Sequence, residues 1–232
     1  MTSAEPRNEE LERAIIDDPT NRAALAVLAD WLEERGAPRG QLINLELKGK
    51  QAEAKAVFEQ HLDVFLGPLA QHRQVYDEGW NNSRSHLRTA EEEEAWQKTH
   101  QEAFLWENGF IRRVRLSYDE YSNESFEGDL AQILSDILDH PSARFVSEFT
   151  FNSNGDPNEN DLQALIDVLA KKAPISTRKL TFGDNVDQIS WHHTGTLAPL
   201  WQRLPKLKTV EIEQATRQSS GYLGCRPLVR PT

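Results

Sequence analysis

The sequence predicts an α/β protein in which an N-terminal helical region caps a short solenoid of strand–helix units. Its sheet would be parallel and open-faced, with about four strands. Three observations predict this. Four short runs, residues 113–117, 148–152, 179–183 and 209–213, alternate apolar and polar residues with period two. Aligning Leu116, Phe151, Phe182 and Ile212 separates them by 35, 31 and 30 residues, a spacing typical of stacked repeats. Between the runs lie segments with helical periodicity.

The elements justify themselves in order. Residues 9–16 read as a helix that ends at Asp17-Asp18-Pro19, because proline disfavours helical backbone in the residue before it. Thr20 or Asn21 caps the next helix, residues 22–35. Leu25, Leu28, Ala29 and Leu32 form its i, i+3, i+4, i+7 stripe, widened by Val27 and Trp31. Gly36 stops it and Pro38 lies just beyond. Residues 39–48 form a further helix that buries Leu42, Ile43, Leu45 and Leu47. Residues 51–65 form another, with Val57, Phe58, Leu62 and Phe65 on one side, before Gly67-Pro68 interrupts the chain ahead of a helix over 69–76. Residues 77–88 are polar and loop-like. Thr89 then caps a helix whose first turn carries Glu91, Glu92, Glu93 and Glu94, complementing the helix dipole. Trp96, Ala103, Phe104 and Trp106 pack inward from it, which closes a helical region over 1–107.

The texture changes at Asn108-Gly109, and residues 108–213 form the α/β repeats. Val114, Leu116, Phe149, Phe151, Leu180, Phe182, Val210 and Ile212 point toward covering helices. Those helices carry Leu130, Ile133, Leu134 and Ile137, then Leu162, Leu165, Ile166 and Leu169, then Leu197, Leu200, Trp201 and Leu204. Arg113, Arg115, Glu148, Thr150, Lys179, Thr181, Thr209 and Glu211 point the other way. Strands covered on both faces read as continuous apolar runs, and these do not, so one face is expected to be open. Residues 214–232 are a C-terminal tail.

Composition narrows the function. The 232 residues carry 37 acids against 26 bases, a formal net charge of −11. Nucleic-acid binding rests on Lys and Arg neutralising phosphates, and no segregated basic face stands out; Arg217, Arg226 and Arg230 in the tail are too few. No apolar run approaches the roughly 18 residues of a membrane helix, and the first ten residues lack the basic and apolar regions of a secretory signal. The expectation is a cytoplasmic chain with a protein partner, no nucleic acid and no membrane.

Residues 18–19 and 25–43, Asp-Pro and then Leu-Ala-Val-Leu-Ala-Asp-Trp-Leu-Glu-Glu-Arg-Gly-Ala-Pro-Arg-Gly-Gln-Leu-Ile, closely resemble the bacterial repeat-companion domain of planctomycete and myxobacterial type. That family's core reads Tyr-Ala-Asp-Trp-Leu-Glu-Glu, a Gly turn, then Arg-Gly and an apolar helix, commonly ahead of leucine-rich repeats. Residues 65–69, 108–111 and 204–212 are similar to the segments that lead such proteins into their leucine-rich-repeat-like part. Leu28 stands where the family usually has Tyr, and Phe151 and Phe182 replace typical repeat leucines. The resemblance implies an interaction scaffold: a helical repeat-companion region capping leucine-rich-repeat-like units.

Within that motif, Asp30, Trp31, Gly36, Arg39 and Gly40 are read as structural, with Asp30 engaging Arg39 across the Gly36 turn and Trp31 covering it. The candidate partner-binding residues are the eight outward strand positions. Arg113, Glu148 and Lys179 form one row across neighbouring strands; Arg115, Thr150, Thr181 and Glu211 form the next. Lateral pairing that merely keeps the face soluble is the alternative, since exposed pairs contribute about 0–1 kcal/mol each. No metal or cofactor is expected. His192 and His193 beside Trp191 have no ligand pattern around them, and Asp156, Glu159, Asp184 and Asp187 lack the spacing of a calcium loop. Cys225 is the only cysteine and reads as a passive thiol beside Arg226. No nucleophile elbow, phosphate loop or zinc-protease motif is present. The expected function is therefore non-catalytic protein–protein interaction. The alternatives are an immunity or antitoxin-type protein that neutralises a basic toxin by charge complementarity, and an unrecognised hydrolase.

Overall fold

Parallel strands stacked in unbroken chain order organise the molecule. The computed structural model describes residues 5–72, 103–118, 130–153, 162–182, 196–212 and 228–229. One six-stranded sheet runs β1 (Phe104–Glu107), β2 (Phe110–Tyr118), β3 (Glu148–Ser153), β4 (Lys179–Phe182), β5 (Thr209–Ile212), β6 (Leu228–Val229), in that spatial order. The four strands β2 to β5 are parallel, and β1 and β6 close the edges antiparallel. The register is the expected one. Leu116, Phe151, Phe182 and Ile212 share one rung, and Val114, Phe149, Leu180 and Val210 share another. Edge strand β6 comes from the segment expected to be a tail. Leu228 and Val229 pair with Val210 and Thr209, covering the first half of an edge that otherwise templates association.

The helices α6 (Leu130–Asp139), α7 (Leu162–Lys172) and α8 (Ala198–Arg203) alternate with the parallel strands. They pack in succession, α6 on α7 and α7 on α8. Their residues Ile133, Leu134, Ile137, Leu165, Ile166, Leu169 and Leu200 join the strand residues Val114, Leu116, Phe149, Phe151, Leu180, Phe182 and Val210 in one core. Phe149, Phe151 and Phe182 stack ring on ring, with centroids 6.1 and 5.5 Å apart. Phenyl rings thus fill the layer by stacking along the ladder.

The N-terminal helices are α1 (Glu9–Asp17), α2 (Arg22–Glu33), α3 (Pro38–Leu47), α4 (Gln51–Gln60) and α5 (Leu62–Phe65). Asn21, not Thr20, caps α2, its side chain accepting the Ala24 N–H at 3.0 Å. The expected helix over 51–65 is broken at His61, and a 3-10 segment, Gly67–His72, replaces the helix expected from 69. Val27 does not widen the buried stripe of α2; it is exposed, and Trp31 is half-buried.

The largest difference from expectation precedes the parallel strands. Phe104 and Trp106, expected on a helix, lie in β1, which forms a hairpin with β2. Asn108 and Gly109 both take positive φ, 51° and 70°, between the paired Glu107 and Phe110. Two left-handed residues in a two-residue loop match the right-handed twist of the flanking strands, and Asn-Gly suits them best. The sheet therefore begins before residue 108. Ala103 and Phe104 still pack inward, now from the sheet.

α2 and α3 form the closest helix pair. A Cβ on Gly40 would overlap the Ala29 carbonyl oxygen and the Glu33 amide nitrogen and lie 3.0 Å from Glu33 Cα. Backbone on backbone leaves no side chain to give way. Gly40→Ala is expected to lower unfolding stability by about 3 kcal/mol, read as a reduced urea midpoint. A Gly40→Ala variant as stable as the parent would mean that the helices separate at little cost.

Candidate functional site

The eight outward strand residues are brought together as two rows. Arg113, Glu148, Lys179 and Thr209 are Cα partners across β2 to β5; Arg115, Thr150, Thr181 and Glu211 are partners one rung on. Their exposure departs from expectation. Arg115 and Thr181 are buried, at 7% and 8% exposed, and the other six are half-buried. Neighbouring strands place side chains close enough for long ones to lie over the next rung. Glu211 shows this: its carboxylate takes Lys179 Nζ at 2.8 Å and the Thr181 hydroxyl at 3.2 Å. Lateral pairing is therefore real on the β4–β5 side of the face.

The motif residues are assembled differently from the expectation. Gly36 does turn the chain, at φ 71°, with the Ala37 N–H donating to the Leu32 carbonyl. Asp30 does not meet Arg39. It is exposed and accepts from Asn44 Nδ2 at 3.1 Å, and Glu33 takes the same amide group at 2.9 Å. Trp31 stays near the turn, its ring covered by the Arg35 guanidinium at 4.0 Å. The reason is helical phase. Arg39 precedes Leu42 and Ile43 by three and four residues, so it lies on the buried face of α3, whereas Asp30 lies on the solvent face of α2.

Arg39 is wholly buried and anchors an ionic cluster. Its Nε donates to Glu5 Oε1 at 2.6 Å, Nη1 donates to the Gly109 carbonyl, and Nη2 donates to Ser142 Oγ at 3.0 Å. Ser142 Oγ donates in turn to the Phe65 carbonyl at 2.7 Å. The rings of Phe65 and Phe110 lie 4.9 and 4.6 Å from the guanidinium carbon, so apolar walls receive the cation through their π faces. One side chain thus ties the N-terminal segment, the hairpin turn and the 3-10 turn Pro141–Ala143 to α3. Glu46, two turns along α3, sits near the backbone of the Asn108-Gly109 turn. Burial raises its pKa, and the nearby backbone of Asn108 and Gly109 only partly offsets the rise.

Arg144 continues the cluster. Its guanidinium lies 3.3 Å from Glu5 Oε2 and 3.4 Å from Glu12 Oε1, and it donates to the Pro6 and Glu5 carbonyls. Arg7 completes the set on Glu12 at 2.6 Å. Burial lowers the pKa of Arg39 and of Arg144, and Glu5 counters this in both. A cleft of about 480 Å³ opens beside the cluster, lined by Glu5, Arg7, Glu12, His140 and Arg144 among others. The His140 Nδ1 accepts the Ser142 N–H at 3.2 Å. Burial, with Arg39 adding to it, pushes His140 down to about 4.

The sequence reading missed Glu5, Glu12, Arg112 and Arg144. Glu12 had a usable signal: it sits one residue after Leu11 and three before Ile15, on the inner face of α1. Glu5, Arg112 and Arg144 had none, because their partners are remote in the chain. Arg112 lies over the Phe145 ring at 5.5 Å and 3.6 Å from Glu107. His192, His193, Asp156, Glu159, Asp184, Asp187 and Cys225 lie outside the described residues. Among the described residues, no group of three or more His, Cys, Asp or Glu side chains is placed to hold a metal ion. No helix among them is long and apolar enough to cross a membrane.

Arg39→Met keeps apolar contact with the two rings but leaves Glu5 Oε1 buried without its donor. It is expected to cost about 3–5 kcal/mol in urea unfolding, and a loss below about 1 kcal/mol would remove the cluster from its structural role. His140 sets a pH dependence. Its folded pKa of about 4 lies below the ordinary 6.5, so the unfolded chain binds its proton first. The contribution is complete above pH 6.5 and is lost as pH falls toward 4. His140→Gln should flatten the urea midpoint against pH across that window, and an unchanged slope would exclude His140 as its source.

Compared with models of known families, with curated proteins and with solved structures, the chain finds no match.

Proposed function

We propose that the chain is a non-catalytic, cytoplasmic protein–protein interaction module. In this reading, helices of repeat-companion type cap a short leucine-rich-repeat-like solenoid, and the polar sheet face docks a protein partner. The observation that carries it is the register, in which Arg113, Glu148, Lys179 and Thr209 stand side by side on four parallel strands, with Thr150 and Glu211 on the next rung. A hydrogen-bonded ladder holds such groups at fixed spacing, so little ordering accompanies binding. Charges of alternating sign on a rigid face reject partners with the wrong pattern more than they add raw affinity. Arg115 and Thr181 are too buried for first contact and serve as supports beneath it.

The Lys179–Glu211 pair provides a test that separates binding from folding. Exchanging the two, Lys179→Glu with Glu211→Lys, keeps an ion pair while inverting the pattern seen by a partner. The unfolding stability should move by less than about 0.5 kcal/mol. A partner identified by crosslinking and mass spectrometry, then purified, should bind the exchanged protein at least about tenfold more weakly, with Glu148→Lys behaving alike. Equal affinity of that partner for all variants would end the assignment of this face.

A further inference from the structure

The N-terminal segment is held by a site built elsewhere in the chain. Glu5 precedes α1 and is not part of any helix or strand, yet its side chain is only 7% exposed. The groups that receive it come from elsewhere in the chain: Arg39 on α3, between two phenyl rings, and Arg144 directly after the 3-10 turn. The carboxylate is the one counter-charge bonded to Arg39 among the described residues. Three guanidinia, Arg7, Arg39 and Arg144, meet two carboxylates, and Glu12 pairs with Arg7 and Arg144 while Arg39 pairs with Glu5. Without Glu5, the wholly buried Arg39 retains only neutral partners, the Gly109 carbonyl, the Ser142 hydroxyl and the rings. A buried guanidinium without an anion is strongly destabilising.

Two further features distinguish this from a sealed ion pair. Glu5 fits imperfectly: Oε2 is buried and accepts no hydrogen bond among the described residues, although Arg144 Nη2 is 3.3 Å away. The tether to the backbone lets one oxygen bond Arg39 and leaves the other poorly aimed. Glu5 and Arg144 also line the cleft of about 480 Å³, so the site has a route to solvent.

We propose that Arg39 and Arg144 form a carboxylate receptor, filled in cis by Glu5, that binds a free carboxylate when Glu5 is absent. An untethered carboxylate aligns both oxygens, one on Arg39 Nε and one on Arg144 Nη2. The N-terminal segment is then a built-in ligand of a site that needs an anion of this shape, and the site is distinct from the sheet face.

The test is chemical rescue in the full chain. Glu5→Ala empties the receptor, and Glu5→Gln fills it with a neutral side chain of the same size. Thermal unfolding followed by circular dichroism is compared in sodium formate and in sodium chloride at matched ionic strength. Glu5→Ala should lose midpoint in chloride and regain at least half of the loss in formate, with saturation in a formate titration. Glu5→Gln and the parent should respond equally to the two salts. Should Glu5→Ala be unfolded in chloride, formate should restore its helical signal. No advantage of formate over chloride for Glu5→Ala, folded or unfolded, would overturn the proposal, as would equal rescue of Glu5→Gln.

Discussion

A guanidinium without water is the constraint around which the N-terminal half is arranged. Arg39 is wholly buried, and burying a charge is tolerated only when hydrogen bonds and counter-charge replace what water supplied. Each replacement comes from a different part of the chain: Glu5 ahead of α1, Gly109 in the hairpin turn, Ser142 in the 3-10 turn, and the rings of Phe65 and Phe110. Satisfying one side chain therefore brings four remote segments to one point. A purely apolar contact here would have permitted sliding; directional donors do not.

The same point joins the helices to the sheet. Phe110 begins β2 and packs at right angles on Phe145, within the core that also holds Ile15, Leu28, Leu32 and Ile43. Val114 and Leu116, further along the same strand, belong to the core beneath α6 and α7. One strand thus takes part in both cores. The Asn108-Gly109 turn that starts it is gripped by Arg39 on the Gly109 carbonyl.

The strands β2 to β5 were legible in detail because their information is local. Period-two alternation located β2 to β5, and aligning one apolar residue per run reproduced the rungs Leu116, Phe151, Phe182 and Ile212. The helical stripe of α2 was readable for the same reason, as was the stop at Gly36, whereas of the four residues expected to be buried in α3 only Leu42 and Ile43 are, with Leu45 and Leu47 half-buried. Less of the candidate face was legible. Alternation states which side of the sheet Arg115 and Thr181 occupy, but not that neighbouring side chains cover them. The strand β1 escaped the sequence reading because Phe104 and Trp106 suit a helix as well as a strand over so short a run. Only its pairing with β2 decides between them.

By itself the sequence determined the alternation of elements, their inward residues and the absence of familiar catalytic motifs, since each depends on neighbours within a few positions. The tertiary structure alone decided the partners of the charges. Arg39 had Asp30 nearby in sequence and Glu5 far away, and it chose Glu5 because the phase of α3 turns it inward, where a carboxylate from the chain's start is the one within reach. An ion pair is specified by position in space, and positions in space are set only after helices and sheet have packed.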